Sequence, residues 1–594
     1  MARRMEEDKP IIRLQDVVFR YPGASAVSLD RVSLTIERGD FVAIAGSNGS
    51  GKSTLCKCFN GLIPHYYAGD MEGEVEVGGL PTEGRSVAEL SKSVAYVFQD
   101  FENQLVRPTV YDEACFAPLN FGYEDYKDRG TRALRMLGIE HLRDEWIWQL
   151  SGGQKHMAAL AAALALDPEV IVVDEPVAQL DPAHARVIYE KLKALNENYG
   201  KTIVVIEHHT EFIAEYCRKI VLMERGGRIR WIKPVAEGLS SVDELNEMNI
   251  QPPQVTQAYY ALHGGRETEG VRPLPITLEE AVERWPRTGR NPGRPEPKPT
   301  PEPERERLCK EEAPRDPLVL FEGVSAGYAG IGREKKKVVR GIDLTIREGD
   351  RIALVGNNGA GKSTLLRLIS GLRRPWEGRV TVCGKDTRRA TPEELADRVA
   401  FLFQNPEEMF IADNVRQDVE YFLKSRKRQD IRPFIDEVLK RFKLEELQDR
   451  DGRLLSGGQQ RRATLAIGLA MRPAVMLLDE PTASLDIASR KELTSLFEQL
   501  RDQVKAVVVA THDMQLVADW ANRVIVMNEG RILLDADSRS VFRHFEILDR
   551  AALAAPQIVQ LSGRLGIEPA CLSVEQFVER ARSEEKERLS YGTR

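Results

Sequence analysis

Two stretches of the chain, GSNGSGKST and GNNGAGKST, share the pattern G-x-x-x-x-G-K-[ST] and begin 310 residues apart. The first comprises Gly46, Ser47, Asn48, Gly49, Ser50, Gly51, Lys52, Ser53 and Thr54. The second comprises Gly356, Asn357, Asn358, Gly359, Ala360, Gly361, Lys362, Ser363 and Thr364. Glycines at this spacing let the backbone curl so that several N–H groups face one anion. A following helix adds its positive N-terminal end. Lys52 and Lys362 are then placed to reach β- and γ-phosphates, and Ser53 and Ser363 to bind Mg²⁺.

About 120 residues after each loop, an apolar run ends in Asp174–Glu175 and in Asp479–Glu480. A carboxylate at that point, Asp174 or Asp479, can hold the magnesium shell. The next residue, Glu175 or Glu480, is positioned to take a proton from water attacking the γ-phosphate. Between loop and carboxylates stands LSGGQ, once with Ser151, Gly152, Gly153 and Gln154, once with Ser456, Gly457, Gly458 and Gln459. A serine and two glycines opening a helix make a second anion cradle. Each cradle could serve the nucleotide of the other copy.

The elements that must carry these residues follow from the pattern of apolar runs. FVAIAG, VIVVD and TIVVIEH are continuous and rich in valine and isoleucine, as strands buried on both faces of a parallel sheet are. Helix-length segments separate them, which makes each copy α/β, and ligands of such sheets sit beyond the carboxyl ends of the strands. Order and spacing of all the motifs persist when the sequence is slid along itself, so the chain contains a duplicated domain. The boundaries read as 11–250 for the first domain, 251–285 for a small appendix, 286–316 for a linker, 317–550 for the second domain and 551–594 for its appendix. The linker holds RPEPKPTPEP, which cannot form a continuous helix or bury a core.

Composition bounds the rest. The 594 residues are 42% hydrophobic and 29% charged with a formal charge of −7, the balance of globular domains without an overall basic surface for nucleic acid. Seven scattered cysteines form no CxxC pair, and read as thiols of a reducing compartment. The longest apolar run, 157–166, is half of a membrane span, and MARRMEEDKP lacks the apolar core of a secretory signal. A role at a membrane would therefore need docking on another protein.

In order, and twice over, these motifs resemble those of the ATP-binding cassette family: Walker A, Q-loop, LSGGQ signature, Walker B, D-loop and H-loop. The resemblance implies tandem P-loop NTPase domains, each with a RecA-like parallel sheet, a helical subdomain, an N-terminal antiparallel β region and the small C-terminal appendix. It implies ATP and Mg²⁺ as ligands, ATP hydrolysis in both copies, and head-to-tail pairing of the cassettes. Gln99 and Gln404 match the Q-loop glutamines, near magnesium and at the groove facing a transporter. Tyr21 and Tyr328 match the aromatic that stacks on adenine. His208 and His512, 33 and 32 residues after their glutamates, match the histidine that contacts the γ-phosphate. Asp181 and Asp486 match the D-loop aspartate.

FQDFENQLVRPTVYDEACFAPLNFG, after the first Q-loop, resembles the energy-coupling factor importers of cobalt and vitamin type, with Phe101 in place of a proline. The second copy, with Glu408–Met409 in place of Asn–Gln, is a looser match. That resemblance implies a transmembrane coupling subunit, a membrane substrate-binding subunit, a peripheral position on the cytoplasmic face of the membrane, and uptake of a vitamin or transition-metal ion. The alternative is a soluble twin-cassette ATPase acting on ribosomes or nucleic acid. The proline-rich linker and the absence of cysteine clusters speak against it.

Overall fold

The structure is a computed structural model and describes residues 10–177, 180–263, 273–285, 317–329, 335–426, 431–483, 485, 487–500 and 503–591. The linker expected at 286–316 lies outside them. The chain divides into two compact units, Met1–Pro286 with Val578–Arg594, and Arg287–Phe577.

In the first unit, Phe41–Gly46, Thr202–Ile206, Val170–Asp174 and Val94–Val97 run parallel in that spatial order. Lys219–Glu224 flanks Phe41–Gly46 on its other side, and Arg228–Pro234 closes the edge antiparallel. The valine and isoleucine runs alternate between two cores. Val42, Ile44, Val170, Val172 and Val204 pack with the P-loop helix Lys52–Phe59 and a four-stranded antiparallel sheet made by Ile12–Arg20, Leu29–Ile36, Asp70–Val77 and Leu80–Pro81. Ala43, Ala45, Ile171, Val173, Ile203 and Val205 pack on the other face against helices that include Gly152–Leu164 and Pro182–Tyr199. Burial on both faces is why these strands show no polar alternation. Cys56 and Cys58 are buried on the P-loop helix, as small apolar packing groups.

The second unit repeats the plan. Val399–Leu402, Val475–Asp479, Ala506–Thr511, Arg351–Val355 and Arg523–Asn528 are parallel neighbours, and Arg531–Ala536 lies antiparallel at the edge. Its antiparallel sheet is built from Val319–Ala329, Lys335–Ile346, Glu377–Val382 and Lys385–Asp386. In both sheets the carboxyl ends of the parallel strands share one edge. Asp174 pairs in register with Ile206, and Asp479 with Ala510. The predicted site residues therefore gather at one edge of each sheet.

Three helices per unit carry the segment between Q-loop and signature: Val110–Asn120, Tyr126–Leu137 and Gly152–Leu164, then Val415–Ser425, Arg432–Arg441 and Gly457–Ala470. Beneath each post-Q-loop strap sits a buried carboxylate. Glu113 accepts the backbone N–H groups of Val106 and Arg107 at 2.9 and 2.7 Å, and Asp418 those of Ile411 and Ala412 at 2.9 and 2.8 Å. Each carboxylate satisfies two donors that the strap would otherwise leave unpaired. After each cassette, helices follow at Gln254–Leu262 and Leu278–Arg284, and at Gln557–Arg564 and Val574–Tyr591. Glu113→Ala, which orphans both donors, is expected to destabilise the first unit by about 1–3 kcal/mol in denaturant unfolding. Glu113→Gln, which keeps one acceptor oxygen, is expected to cost less.

Candidate active site

The P-loop starts where Phe41–Gly46 ends, and its helix begins on Gly51, whose φ of 91° is left-handed; Gly361 matches it at 104°. A side chain would be strained at this conformation, so glycine is what lets the loop turn directly into the helix. Loop hydrogen bonds hold the curl, with Ser50 N donating to Ser47 O at 3.2 Å and Ala360 N to Asn357 O at 3.1 Å. Lys52 and Lys362 are buried and fold back over the loop. Lys52 Nζ donates to Gly46 O and Ser47 O at 2.9 and 3.0 Å, and Lys362 Nζ to Gly356 O and Asn357 O at 2.7 and 3.2 Å. Both ammonium groups thus stand over the ring of backbone amides formed by Gly46–Gly51 and by Gly356–Gly361. Tyr21 and Tyr328 lie beside the same helices, their hydroxyls 3.3 and 3.4 Å from Thr54 Oγ1 and Thr364 Oγ1. One face of the Tyr328 ring already carries the Arg373 guanidinium, 3.9 Å from its centroid.

Asp174 and Asp479 are buried at the ends of their strands, next to Ser53 and Ser363. Burial pushes both carboxyls above the ordinary aspartate range, against the pull of the neighbouring serine and lysine. The first has a partner that the second lacks. Tyr96 donates its hydroxyl to Asp174 at 2.9 Å, whereas Phe401 occupies the matching position, and Asp479 Oδ1 is buried without a hydrogen bond. An aspartate oxygen and a serine hydroxyl are hard oxygen donors, and a buried unsatisfied carboxylate oxygen beside a serine fits Mg²⁺. Among the described residues no cluster of three or more His, Cys, Asp or Glu gathers to hold a metal. Two protein oxygens plus phosphates and water are the usual magnesium shell.

Glu175 and Glu480 follow with φ of 50° and 46°. This left-handed region is unusual for a glutamate. Each is pinned there by its backbone N–H, which donates to Ile206 O at 3.0 Å or to Ala510 O at 2.9 Å. The turn aims each carboxylate at the histidine from the next strand. His208 Nε2 lies 3.2 Å from Glu175 Oε1, and His512 Nδ1 lies 3.0 Å from Glu480 Oε2. Gln99 Nε2 also donates to Glu175 Oε2 at 2.7 Å, while Lys362 stands 3.7 Å from Glu480. The Q-loop glutamine of the first unit is therefore in the cluster through its side chain. Gln404 is tied through its backbone instead, as its carbonyl accepts from Arg461 at 2.6 Å. Burial works to raise Glu175, but His208 and Lys52 outweigh it and hold the carboxyl below the ordinary range.

The signature turns open helices as expected. Ser151 Oγ accepts Gln154 N at 3.4 Å, and Ser151 N donates back to Gln154 Oε1 at 3.0 Å; Ser456 N donates to Gln459 Oε1 at 3.0 Å. The glutamine is thus the third residue of a capping box. Used as an acceptor here, the serine hydroxyl keeps its own proton to donate to an anion. A side chain at the second glycine would crowd its neighbours. A Cβ on Gly153 would stand 2.8 Å from the His184 ring, and one on Gly458 would stand 2.9 Å from Ser489 Oγ. Asp181 is fully buried and caps the helix Pro182–Tyr199, accepting His184 N at 3.0 Å and facing His184 Nδ1 at 2.8 Å. Asp486 lies outside the described residues. Sequence reasoning missed Tyr96, Arg461 and Glu207. Glu207 is buried and accepts the Tyr189 hydroxyl and the N–H groups of His208 and His209, fixing the turn that carries His208.

In the second unit the histidine–glutamate pair has a definite pH signature. Burial opposes the charged form of His512, but Glu480 and Asp513 outweigh it, so its pKa lies above the ordinary 6.5. Burial likewise works to raise Glu480, and His512 and Lys362 hold it down. A raised histidine contributes stability below its unfolded pKa and loses it as pH rises through the folded value. A lowered glutamate contributes above its unfolded pKa and loses it as pH falls through the folded value. The pair is thus fully charged across the window between the two. Nuclear magnetic resonance titration of the nucleotide-free protein is expected to place His512 above 6.5 and, in Glu480→Gln, below it. An unmoved titration would show that Glu480 is not its partner.

The family profile described as "ABC transporter" matches residues 29–178 and 339–483. An inferred ABC transporter ATP-binding protein of Caldanaerobacter subterraneus subsp. tengcongensis is 35% identical over 576 residues, covering 96% of this chain and 98% of its own. Among solved structures, cbiO1 from Clostridium perfringens, described as part of the ABC transporter complex cbiONQ, is 29% identical with a TM-score of 0.37. It covers 42% of this chain and 99% of its own. The archaeal ribosome recycling factor aABCE1, in complex with the ribosomal stalk protein aP1, has a TM-score of 0.53 at 22% identity, covering 89% and 92%, a likeness of fold. With the motif set present twice on matching sheets, the chain belongs to the ABC transporter family as a two-cassette ATP-binding protein whose domains bind ATP with Mg²⁺ and hydrolyse it.

Proposed function

We propose that this chain is the ATPase subunit of an importer of energy-coupling factor type, taking up a vitamin or transition-metal ion through separate membrane subunits. The observation that carries the reading is an exposed apolar rim beside each Q-loop. In the first unit Val106, Trp146 and Trp148 are 61%, 43% and 60% exposed, and the two tryptophans stack with centroids 4.5 Å apart. In the second unit Ile411 and Leu454 are 60% and 85% exposed. Apolar side chains left in water on the straps that Glu113 and Asp418 hold, and on the turns before each signature, are what a partner's helix would cover. Among the described residues no helix is long and apolar enough to cross a membrane, so the partner would supply the spans. The chain would then lie peripherally on the cytoplasmic face. The stretches following Gln99 and Gln404 support the same subtype.

In this reading each P-loop and its lysine hold the β- and γ-phosphates, Tyr21 and Tyr328 stack on adenine, and Ser53–Asp174 and Ser363–Asp479 hold Mg²⁺, with Gln99 and Gln404 beside it. The bound ion would neutralise phosphate charge. Glu175 and Glu480 accept the proton of the attacking water, and His208 and His512 orient them and reach the γ-phosphate. The signatures Ser151–Gln154 and Ser456–Gln459 and the D-loop residues Asp181 and Asp486 complete the site of the opposite cassette in a head-to-tail pair. Glu175 and Glu480 sit within 3.2 Å of an imidazole, the arrangement a general base needs.

Glu175→Gln and Glu480→Gln, made singly, are each expected to lower turnover at their own site about 10²–10⁴-fold with ATP binding retained. One normal and one dead single variant would end the reading of two equal sites. The chain is also expected to co-purify with integral membrane proteins from detergent-solubilised membranes. Trp148→Asp should release it without loss of ATP binding. Salt-sensitive recovery with ribosomes instead would turn the assignment to the translation factors.

A further inference from the structure

The two signature helices align residue for residue but are fastened to their Q-loops in different ways. In the second unit Arg461, two positions after Gln459, is 7% exposed. Its Nη2 donates to Gln404 O at 2.6 Å and its Nη1 to Phe403 O at 3.3 Å. Arg462 beside it pairs with Glu492 at 3.0 Å, and Lys443 stands at 3.0 Å from the same carboxylate oxygen. Burial lowers Arg461 to about 10, opposed by the charges of Glu480 and Asp479, so it is a full cation at neutral pH within electrostatic reach of both site carboxylates. It also lines a small cavity with Asp479, Leu402, Phe403 and Pro481.

In the first unit the matching residue is His156. It is 2% exposed, neither ring nitrogen makes a hydrogen bond, and the ring stacks on Phe101 with centroids 4.4 Å apart and planes at 28°. Burial lowers its pKa to about 4, so it is neutral. Met157 and Val187 stand where Arg462 and Glu492 stand. A stacked neutral ring is held by dispersion and has no strongly preferred register. A guanidinium gripping two successive carbonyls is charge-assisted and directional. The replacements are concerted: Phe101 fills, against His156, the position that Pro406 holds in the second copy.

We propose that Arg461 is a positioning residue for ATP hydrolysis in the second cassette, locking the Q-loop backbone at Phe403–Gln404 to the signature helix so that the Gln404 carboxamide is held in place. The first cassette has no arginine there, and its Q-loop is held by other groups: Gln104 Oε1 accepts Phe98 N at 2.8 Å and its Nε2 donates to Tyr96 O at 3.0 Å, Lys155 of the signature helix pairs with Glu102 at 3.0 Å, and the Gln99 side chain donates to Glu175. The two Q-loops are therefore fastened to different partners, and the backbone of the second depends on one arginine. The inference rests on the reading of Gln404 as part of the hydrolytic site.

The test uses the full chain with Mg²⁺–ATP. In a Glu175→Gln background, where turnover reports the second site alone, Arg461→Gln is expected to lower kcat about tenfold while the affinity for ATP stays unchanged, the signature of a misplaced group rather than a lost contact. Arg461→Lys, which restores one charged donor, should recover part of the loss. Arg461→His, which copies the residue the first unit tolerates in the same place, provides a second folded variant expected to behave as Arg461→Gln does. Hydrogen exchange, read without nucleotide, should quicken at the amides of Gln404 and Asn405 in these variants and stay unchanged at Gln99 and Asp100. Unchanged kcat, or a loss of kcat matched by a general loss of thermal stability with no local change in exchange, would overturn the proposal. Continued hydrolysis in the double variant Glu175→Gln with Glu480→Gln would instead defeat the reading of the hydrolytic site and leave the exchange result standing.

Discussion

Two adjacent carboxylates at the end of a buried strand are the constraint around which each half is arranged. Asp174–Glu175 and Asp479–Glu480 are drawn out of water by the same sheet that positions them. Leaving two such charges uncompensated is costly. The fold answers with different partners for each. The glutamate turns through a left-handed backbone and meets an imidazole and, in the second unit, the P-loop lysine. The aspartate points the other way, toward a serine of the P-loop helix, and keeps a raised affinity for a proton. A bound Mg²⁺ would supply positive charge beside the aspartate, while the lysine and the loop amides would meet the negative charge of the triphosphate.

The duplication preserved that constraint and let its surroundings drift. Tyr96 relieves Asp174 where Phe401 offers Asp479 nothing. Glu207 fixes the His208 turn through three hydrogen bonds, whereas in the second unit Thr511 Oγ1 accepts Asp513 N at 3.0 Å in the corresponding turn. The pairs His156–Phe101 and Met157–Val187 in one half answer to Arg461 on the Q-loop carbonyls and Arg462–Glu492 in the other. These changed residues lie outside the Lys–Ser, Asp–Glu and LSGGQ residues themselves, although the loops also differ at Ser47 and Asn357 and at Ser50 and Ala360. Motif identity therefore says that both sites are equipped, while their neighbours decide how stiffly each is held.

This also explains what could be read from the sequence. The parallel strands were legible because burial on both faces removes polar alternation from FVAIAG, VIVVD and TIVVI. The P-loop, Walker B and signature residues were legible because their chemistry demands particular types at fixed local spacing. Tyr96, Arg461 and Glu207 were not, since each acts on a partner brought near only by the sheet: Tyr96 is 78 residues from Asp174, and Arg461 is 57 from Gln404. The mismatch of Tyr96 with Phe401 and of His156 with Arg461 was visible in the repeat as a difference without a meaning. The reading of Asp181 and Gln154 as ligand-facing groups also lacked a local fact, that both serve as helix caps in this structure.

Capping has a consequence for how such a site switches. A helix end whose orphan amides are satisfied by its own serine and glutamine is stable without ligand. In the proposed pairing a phosphate arriving there would add a bond to the serine proton and need not build the turn. Lys52 and Lys362 are likewise fixed beside the loop, each donating to two of its carbonyls. Both halves of each phosphate site are thus built by the chain's own hydrogen bonds.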